Sequence, residues 1–266
     1  MNKQKIYFIT YGTKDYRLSS KHLIKMAKKA SLFEDCINYD FNSLSSDFKS
    51  LYQDILSHQK GDGYWVWKHE IIMRTLDEIK DNDLVVYCDA GSSFNFYASE
   101  RFMEYVSMLN NSEFGNFRIE TQKQFLEKHF TVKELMDYFQ IPVDSTISNS
   151  TQFEAGHMIF KKNTHTKNYF QVYKELLTID PLLITDEYNS LQKEHSFVSS
   201  RHDQSIFSLI SKKYGSISIE NESYFKNNES LQYDAPFLAV RSKKHGPRDH
   251  IKYYLNTKKF REPNYF

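Results

Sequence analysis

Only two cysteines occur in 266 residues, Cys36 and Cys88, too few for a disulfide-stapled scaffold or a four-cysteine zinc site. Charge of one sign is also lacking. Lys+Arg is 35 and Asp+Glu is 34, a formal net charge of +1. Binding a phosphate backbone calls for a basic surplus or stripe, so nucleic acid is not an expected partner, while a local anion site for one nucleotide stays open. No run approaches the roughly 18 apolar residues that span a bilayer, and the polar start followed by a short apolar stretch is no secretory signal. The expected compartment is the cytoplasm. Proline-rich linkers, low-complexity tracts and internal repeats are missing too, so residues 1–266 read as one domain.

What is present is a globular composition, 40% hydrophobic and 26% charged, enough for a substantial core. Aromatics reach 16%, with 21 Phe and 19 Tyr. They point first to an aromatic core, although sugar- and base-binding clefts use the same ring faces. Residues 252–266 mix Lys252, Lys258, Lys259 and Arg261 with five aromatic side chains. This is either a surface tail packed on its own domain or a peripheral contact with the anionic inner face of a membrane.

Strand and helix patterns alternate along the first third. Residues 5–12, KIYFITYG, form an apolar run ending in glycine, and Leu84–Cys88, LVVYC, is the clearest buried strand. Between them, residues 21–30, 47–58 and 65–80 carry helical spacing, with a short strand near 36–39. Residues 101–109, 132–139 and 165–177 also read as helices, residues 153–161 as a strand, and Asp203–Tyr214 as an amphipathic helix. Such alternation predicts an α/β fold with a mostly parallel central sheet flanked by helices.

Five segments bear chemistry. Asp89-Ala90-Gly91 follows the strand at 84–88, and a carboxylate at the carboxyl end of a buried strand sits where α/β sheets bind ligands. Asp89 suits a divalent cation bridging diphosphate oxygens, or simply the next turn. Residues 60–68, KGDGYWVWK, hold both tryptophans, and a glycine turn leading into a helix offers N–H groups to anions, with Lys68 adding charge. The bland alternative is a helix start anchored by large aromatics. Residues 201–205, RHDQS, open an amphipathic helix, with Asp203 placed either as an N-cap or as a general base aimed at a cleft. Glu154 and His157 flank Ala155-Gly156, where small residues suggest close approach by something bulky. Residues 243–248, KKHGPR, make a basic turn with His245.

In this order, YFITYG, GDGYWVWK, LVVYCDAG, FEAGHMIF and RHDQSIFSL resemble bacterial and large-virus glycosyltransferases of the GT-A fold, enzymes of capsule, lipopolysaccharide and viral glycan assembly. The resemblance runs from about residue 6 to 245, with a looser likeness to glycogenin-like enzymes. It implies a nucleotide-sugar donor and a glycan acceptor, with the nucleotide in the N-terminal half and the acceptor in the C-terminal half. It implies donor contacts from Thr10, Tyr11, Gly12, Tyr64, Lys68, Asp89, Ala90 and Gly91. Sugar and acceptor contacts fall to Glu154, Ala155, Gly156, Arg201, His202 and Gln204, and the base that deprotonates the acceptor hydroxyl is Asp203. A divalent cation, manganese or magnesium, is implied at Asp89 with His245, although Gly91 stands where the family has a second aspartate. Base catalysis favours inversion at the anomeric centre; the glycogenin-like likeness favours retention. The rival expectation is a non-catalytic nucleotide-sugar or carbohydrate-binding module on the same fold.

Overall fold

A computed structural model describes residues 3–193, 196–224 and 234–239. His245 and the basic-aromatic tail lie outside the described residues.

Six strands form the main sheet: β1 (Ile6–Tyr11), β2 (Asp35–Tyr39), β3 (Leu84–Cys88), β5 (Asn116–Ile119), β6 (His157–Lys161) and β7 (Ile217–Ile219). A two-stranded ribbon pairs β4 (Ser93–Phe94) with β8 (Phe237–Leu238). The main sheet runs β2-β1-β3-β6-β5-β7. Three of its five pairings are parallel, and β6 runs antiparallel to both β3 and β5. The longer helices are α1 (Arg17–Lys29), α2 (Trp67–Glu78), α3 (Ser99–Asn110), α4 (Thr164–Ile179) and α5 (Asp203–Tyr214).

Apolar residues fill β3 without interruption because both faces of the sheet are covered. Successive side chains of a strand point to opposite faces. Accordingly Val85 and Tyr87 join the core with residues of α2, α4 and α5. Leu84, Val86 and Cys88 join the other core, with residues of α1 and α3. The same alternation sends Ile9 and Tyr11 one way and Phe8 the other.

Strand β1 pairs in parallel with β2 on one side and β3 on the other. Chain order therefore reverses direction between β1 and β3, and at such a switch point the crevice beyond the strands' carboxyl ends is open to a ligand.

Three sequence expectations change. The helix expected over 47–58 is two short pieces, Ser46–Leu51 and Gln53–Leu56, broken at Tyr52 with φ −110° and ψ 25°. The strand expected over 153–161 begins only at His157; before it, residues 151 and 153 make isolated bridges to Leu126 and Glu120. The helix expected from residue 65 begins at Trp67, because Gly61, Asp62, Gly63, Tyr64 and Trp65 all have positive φ, between 49° and 91°. Positive φ costs an L-residue roughly 1–2 kcal/mol, and three of the five carry side chains. Among the described residues no helix is long and apolar enough to cross a membrane.

Candidate active site

A cavity of about 710 Å³ opens at the carboxyl ends of β1 and β3. Its walls come from the loop after β1, the left-handed turn and start of α2, the segment after β3, Ala155-Gly156 before β6, and the start of α5. Residues far apart in sequence meet here because a switch point gathers strand exits and helix starts on one edge.

Lys68, in the first turn of α2, is the hub. Its ammonium is buried, with Nζ 2.6 Å from Asp203 Oδ2 and 3.3 Å from Asp89 Oδ1. It donates to the Ala155 carbonyl at 3.0 Å. The contact with Asp203 is an ion pair without an aligned hydrogen bond. Burial alone would pull the Lys68 pKa down, but the Asp203 and Asp89 carboxylates outweigh it and hold the pKa above the usual lysine value.

Asp89 is two residues beyond Tyr87 and on the same side of the chain. The Tyr87 hydroxyl donates to Asp89 Oδ1 at 2.6 Å. The Asp89 N–H donates to the Gly156 carbonyl at 2.8 Å. A Cβ at position 156 would stand 3.3 Å from Asp89 Oδ2, so the glycine gives that oxygen room.

Asp203 is the first residue of α5; the N-cap position belongs to His202, which makes no side-chain cap. Asp203 is thus not the N-cap residue itself, and its carboxylate turns to Lys68. Burial pushes its pKa up to about 6, Lys68 opposes that rise and the Asp89 charge adds to it. A carboxylate with such a pKa can exchange a proton close to neutral pH.

His202 has φ 55° and ψ −123°, a strained backbone for a residue with a side chain, and strain of this kind concentrates at functional sites. Its ring packs on Trp65 (5.6 Å between centroids, 27° between planes) and on Tyr64 (5.0 Å). Burial, reinforced by Lys60, lowers its pKa to about 4, so it is neutral at physiological pH. With Nδ1 3.0 Å from the Ile184 carbonyl, that nitrogen carries the proton. The Arg201 guanidinium stacks on Phe125 and Phe130, at 4.0 and 4.4 Å from the ring centroids.

Of the residues singled out from sequence, the cavity gathers Tyr11, Lys68, Asp89, Ala90, Gly91, Ala155, Gly156, Arg201, His202, Asp203 and Gln204. Thr10, Gly12, Tyr64 and Glu154 are not in its lining. Thr10 points into the fold and is fully buried. Gly12 packs where a Cβ would meet Ser20 Oγ at 2.5 Å. Tyr64 lines a separate cleft of about 300 Å³ with Asp54, His58 and Asp186. Glu154 stands behind the wall, fully buried. Its Oε1 is 2.8 Å from His157 Nδ1 and accepts from the Ser223 hydroxyl at 2.7 Å.

Sequence reasoning did not single out Tyr87 or Asp62 as cavity residues and left the roles of Trp65 and Trp67 open; all four line the cavity. Tyr87 was findable, since the strand's period of two puts it on the side of Asp89. Trp67 stacks on Tyr11 (3.8 Å, 11°) and donates through Nε1 to the Gly61 carbonyl at 2.9 Å. It anchors the turn and also forms a wall.

One oxygen of Asp89 is engaged by Tyr87 and Lys68, which leaves Oδ2. Among the described residues no three His, Cys, Asp or Glu side chains group as a metal site. That donor set fits a cation held by one carboxylate together with substrate phosphates and water, the usual manner of magnesium, rather than a cage made by the protein.

No family model and no curated protein matches the sequence. Among solved structures, a glycosyltransferase involved in glycosylation of the major capsid of the virus PBCV-1 superposes over 96% of this chain and 98% of its own, with a TM-score of 0.50 and 8% identity. Mouse xyloside xylosyltransferase 1 matches 82% of this chain and 85% of its own, at TM-score 0.43 and 12% identity. The galactosyltransferase LgtC matches 82% and 74%, at 0.42 and 12%. The chain has the α/β fold of GT-A-type nucleotide-sugar transferases.

Proposed function

We propose that this protein transfers a glycosyl group from a nucleotide-sugar to a hydroxyl of a glycan acceptor, in the assembly of a surface polysaccharide or related glycan. The observation that carries this reading is Asp203, a buried carboxylate with its pKa raised to about 6, at the wall of a cavity sited where this fold binds ligands. A module that only bound sugars would have no need of a base poised near neutral pH.

Asp203 takes the proton of the acceptor hydroxyl as its oxygen bonds to the anomeric carbon and the bond from that carbon to the diphosphate breaks. The nucleoside diphosphate leaves, and the anomeric centre inverts. Lys68 keeps Asp203 ionised and aimed, and compensates the charge of Asp89 beside it. Tyr11 and Trp67 give a flat apolar wall for the nucleotide, and Asp89 Oδ2 accepts a hydroxyl or helps hold a divalent cation, manganese or magnesium. Such a cation supplies positive charge to the diphosphate. His245, a further candidate ligand, lies outside the described residues. Arg201, His202 and Gln204 border the acceptor side.

The test is transfer or donor hydrolysis with a panel of nucleotide-sugars, read by NMR of the new anomeric proton. Inversion with loss of activity in Asp203→Asn supports the reading. Retention removes the base role and leaves Asp203 as a group that positions the sugar. A wild-type chain that binds donors yet neither transfers nor hydrolyses them is a binding module.

A further inference from the structure

Behind the start of α5 lies a buried polar cluster with no part in the reaction as described so far. Glu127 is fully buried. Its Oε1 lies 2.9 Å from Lys212 Nζ and accepts from the Ser208 hydroxyl. Its Oε2 accepts from the Thr131 hydroxyl at 2.9 Å and from Gln152 Nε2 at 3.1 Å.

The surroundings of Gln152 Nε2 settle which way its amide faces. Besides Glu127 Oε2, the nitrogen lies 3.1 Å from Thr131 Oγ1, 3.2 Å from Ser205 Oγ and 3.4 Å from the Phe130 carbonyl. The carboxylate and the carbonyl can only accept. The Thr131 proton goes to Glu127, and the Ser205 proton goes to the Phe130 carbonyl at 2.6 Å. All four neighbours are therefore acceptors toward Gln152, and only an NH₂ group fits among them. Its Oε1 must face the other way, where it accepts from Gln204 Nε2 at 2.8 Å. The Gln204 amide is thereby fixed as well, with Nε2 turned inward to Gln152 and with no partner for its Oε1 among the described residues. Gln204 is part of the cavity wall and partly buried.

We infer that Glu127 and Gln152 are positioning residues that lock the Gln204 amide, so that at this point the cavity presents its sugar with the Gln204 Oε1 acceptor. The sugar seated there presents a free hydroxyl to Gln204 Oε1. A sugar that is deoxygenated at that carbon, or that carries an acceptor-only group there, is discriminated against, because a carbonyl facing an acceptor is repelled and one facing a C–H goes unpaired. The inference rests on the proposed glycosyl transfer for the identity of the ligand, but the lock itself is a property of the free protein.

The experiment uses Gln152→Met, Gln204→Met and the double variant. Each single change is expected to lower kcat/KM for transfer about two- to tenfold, the worth of one neutral hydrogen bond, with affinity for a nucleoside diphosphate unchanged. Because Gln152 acts through Gln204, the double variant is expected to be no worse than Gln204→Met alone. Losses that multiply in the double variant overturn the inference. A readout free of turnover is the side-chain NH₂ signal of Gln204 in a ¹⁵N-labelled protein. It moves toward the position of a solvated amide in Gln152→Met, and an unmoved signal overturns the lock whatever the kinetics. If Gln152→Met does not fold, Gln204→Glu decides. With Gln152 Oε1 held toward it, a carboxylate at 204 meets oxygen against oxygen, so transfer falls as far as in Gln204→Met, and wild-type turnover by Gln204→Glu overturns the lock. A wild-type chain without any transfer strikes the proposed function instead, and the amide signals still decide the lock.

Discussion

Asp203 and Lys68 hold opposite ends of one buried ion pair, and substitutions at the two ends have different consequences. Asp203→Asn keeps the shape but cannot accept a proton, so turnover is expected to fall about 10²–10⁴-fold with donor binding retained. Near-normal turnover in a folded Asn variant would remove the base assignment. In the wild type, kcat is expected to rise about tenfold per pH unit up to about 6 and then level, since the reactive form is the ionised one and the Asp203 pKa lies at about 6. The stability linkage has the opposite sense. An acid whose pKa is raised on folding, here from 3.8 to about 6, binds its proton more tightly in the native state. Wild-type stability relative to Asp203→Asn should therefore fall as pH rises from about 4 to about 6 and stay flat above. Urea titrations at pH 4, 5, 6 and 7 check the sign. The sequence offers Lys68 as a donor contact, a role that by itself would leave the fold indifferent to its loss. Its burial between Asp203 and Asp89 changes that expectation. Lys68→Ala leaves two carboxylates facing one another without a counter-charge and should lower stability by about 3–5 kcal/mol, so a melting temperature within 2 °C of wild type would contradict the hub.

The element that most shapes the cavity is the left-handed turn at 61–65. Gly61 and Gly63 carry part of its strain without penalty, since glycine adopts positive φ freely, but Asp62, Tyr64 and Trp65 do not share that freedom. The turn holds because its ends are tied, with the Tyr64 N–H to the Lys60 carbonyl at 2.7 Å, the Trp65 N–H to the Gly61 carbonyl at 3.2 Å and the Trp67 indole to that same carbonyl. It delivers Trp65 to the His202 ring and Trp67 to the Tyr11 ring. A Cβ at 63 would add the positive-φ penalty and meet the Leu56 backbone at 2.8 Å. Gly63→Ala is expected to lose about 1–3 kcal/mol of stability and to weaken nucleoside diphosphate binding in the same variant. Calorimetry showing full affinity alongside that stability loss would separate the turn from the ligand.

At the scale of the whole molecule, ligand binding should appear as stabilisation, because anything that binds only the native state raises the melting temperature by mass action. Among the described residues the cavity wall carries Asp15, Asp62, Asp89 and Asp203 against Lys60, Lys68 and Arg201. Lys68 is already engaged by two carboxylates, and Lys60 pairs with Asp186 at 2.8 Å. A diphosphate entering this field should need added positive charge. The thermal shift from a nucleoside diphosphate is therefore expected to be larger with manganese or magnesium than with a chelator. Equal shifts in both would leave the diphosphate to the protein's own cations and Asp89 to hydroxyls.

The sequence by itself determined the alternation of elements, the uninterrupted apolar run of β3 and the span of α5, because periodicity and continuous burial are written locally in residue type. It also marked the cavity-bearing segments, since a carboxylate after a buried strand, a glycine turn before a helix and polar residues opening an amphipathic helix are short-range patterns. Only the tertiary structure decided what those segments do to one another. Residues 68, 89 and 203 become one ion-pair network because β3 ends beside the starts of α2 and α5, and such proximity has no local signature. The same holds for the four residues kept out of the cavity wall. Thr10 and Glu154 were plausible by position in the chain, yet a one-residue step along a strand or its approach reverses the face a side chain takes, and packing settled that they belong to the interior. Nothing in the spacing of Glu127, Gln152 and Gln204 foretold their contact, because a hydrogen-bond chain of this kind depends on which acceptors the fold has already placed around each amide.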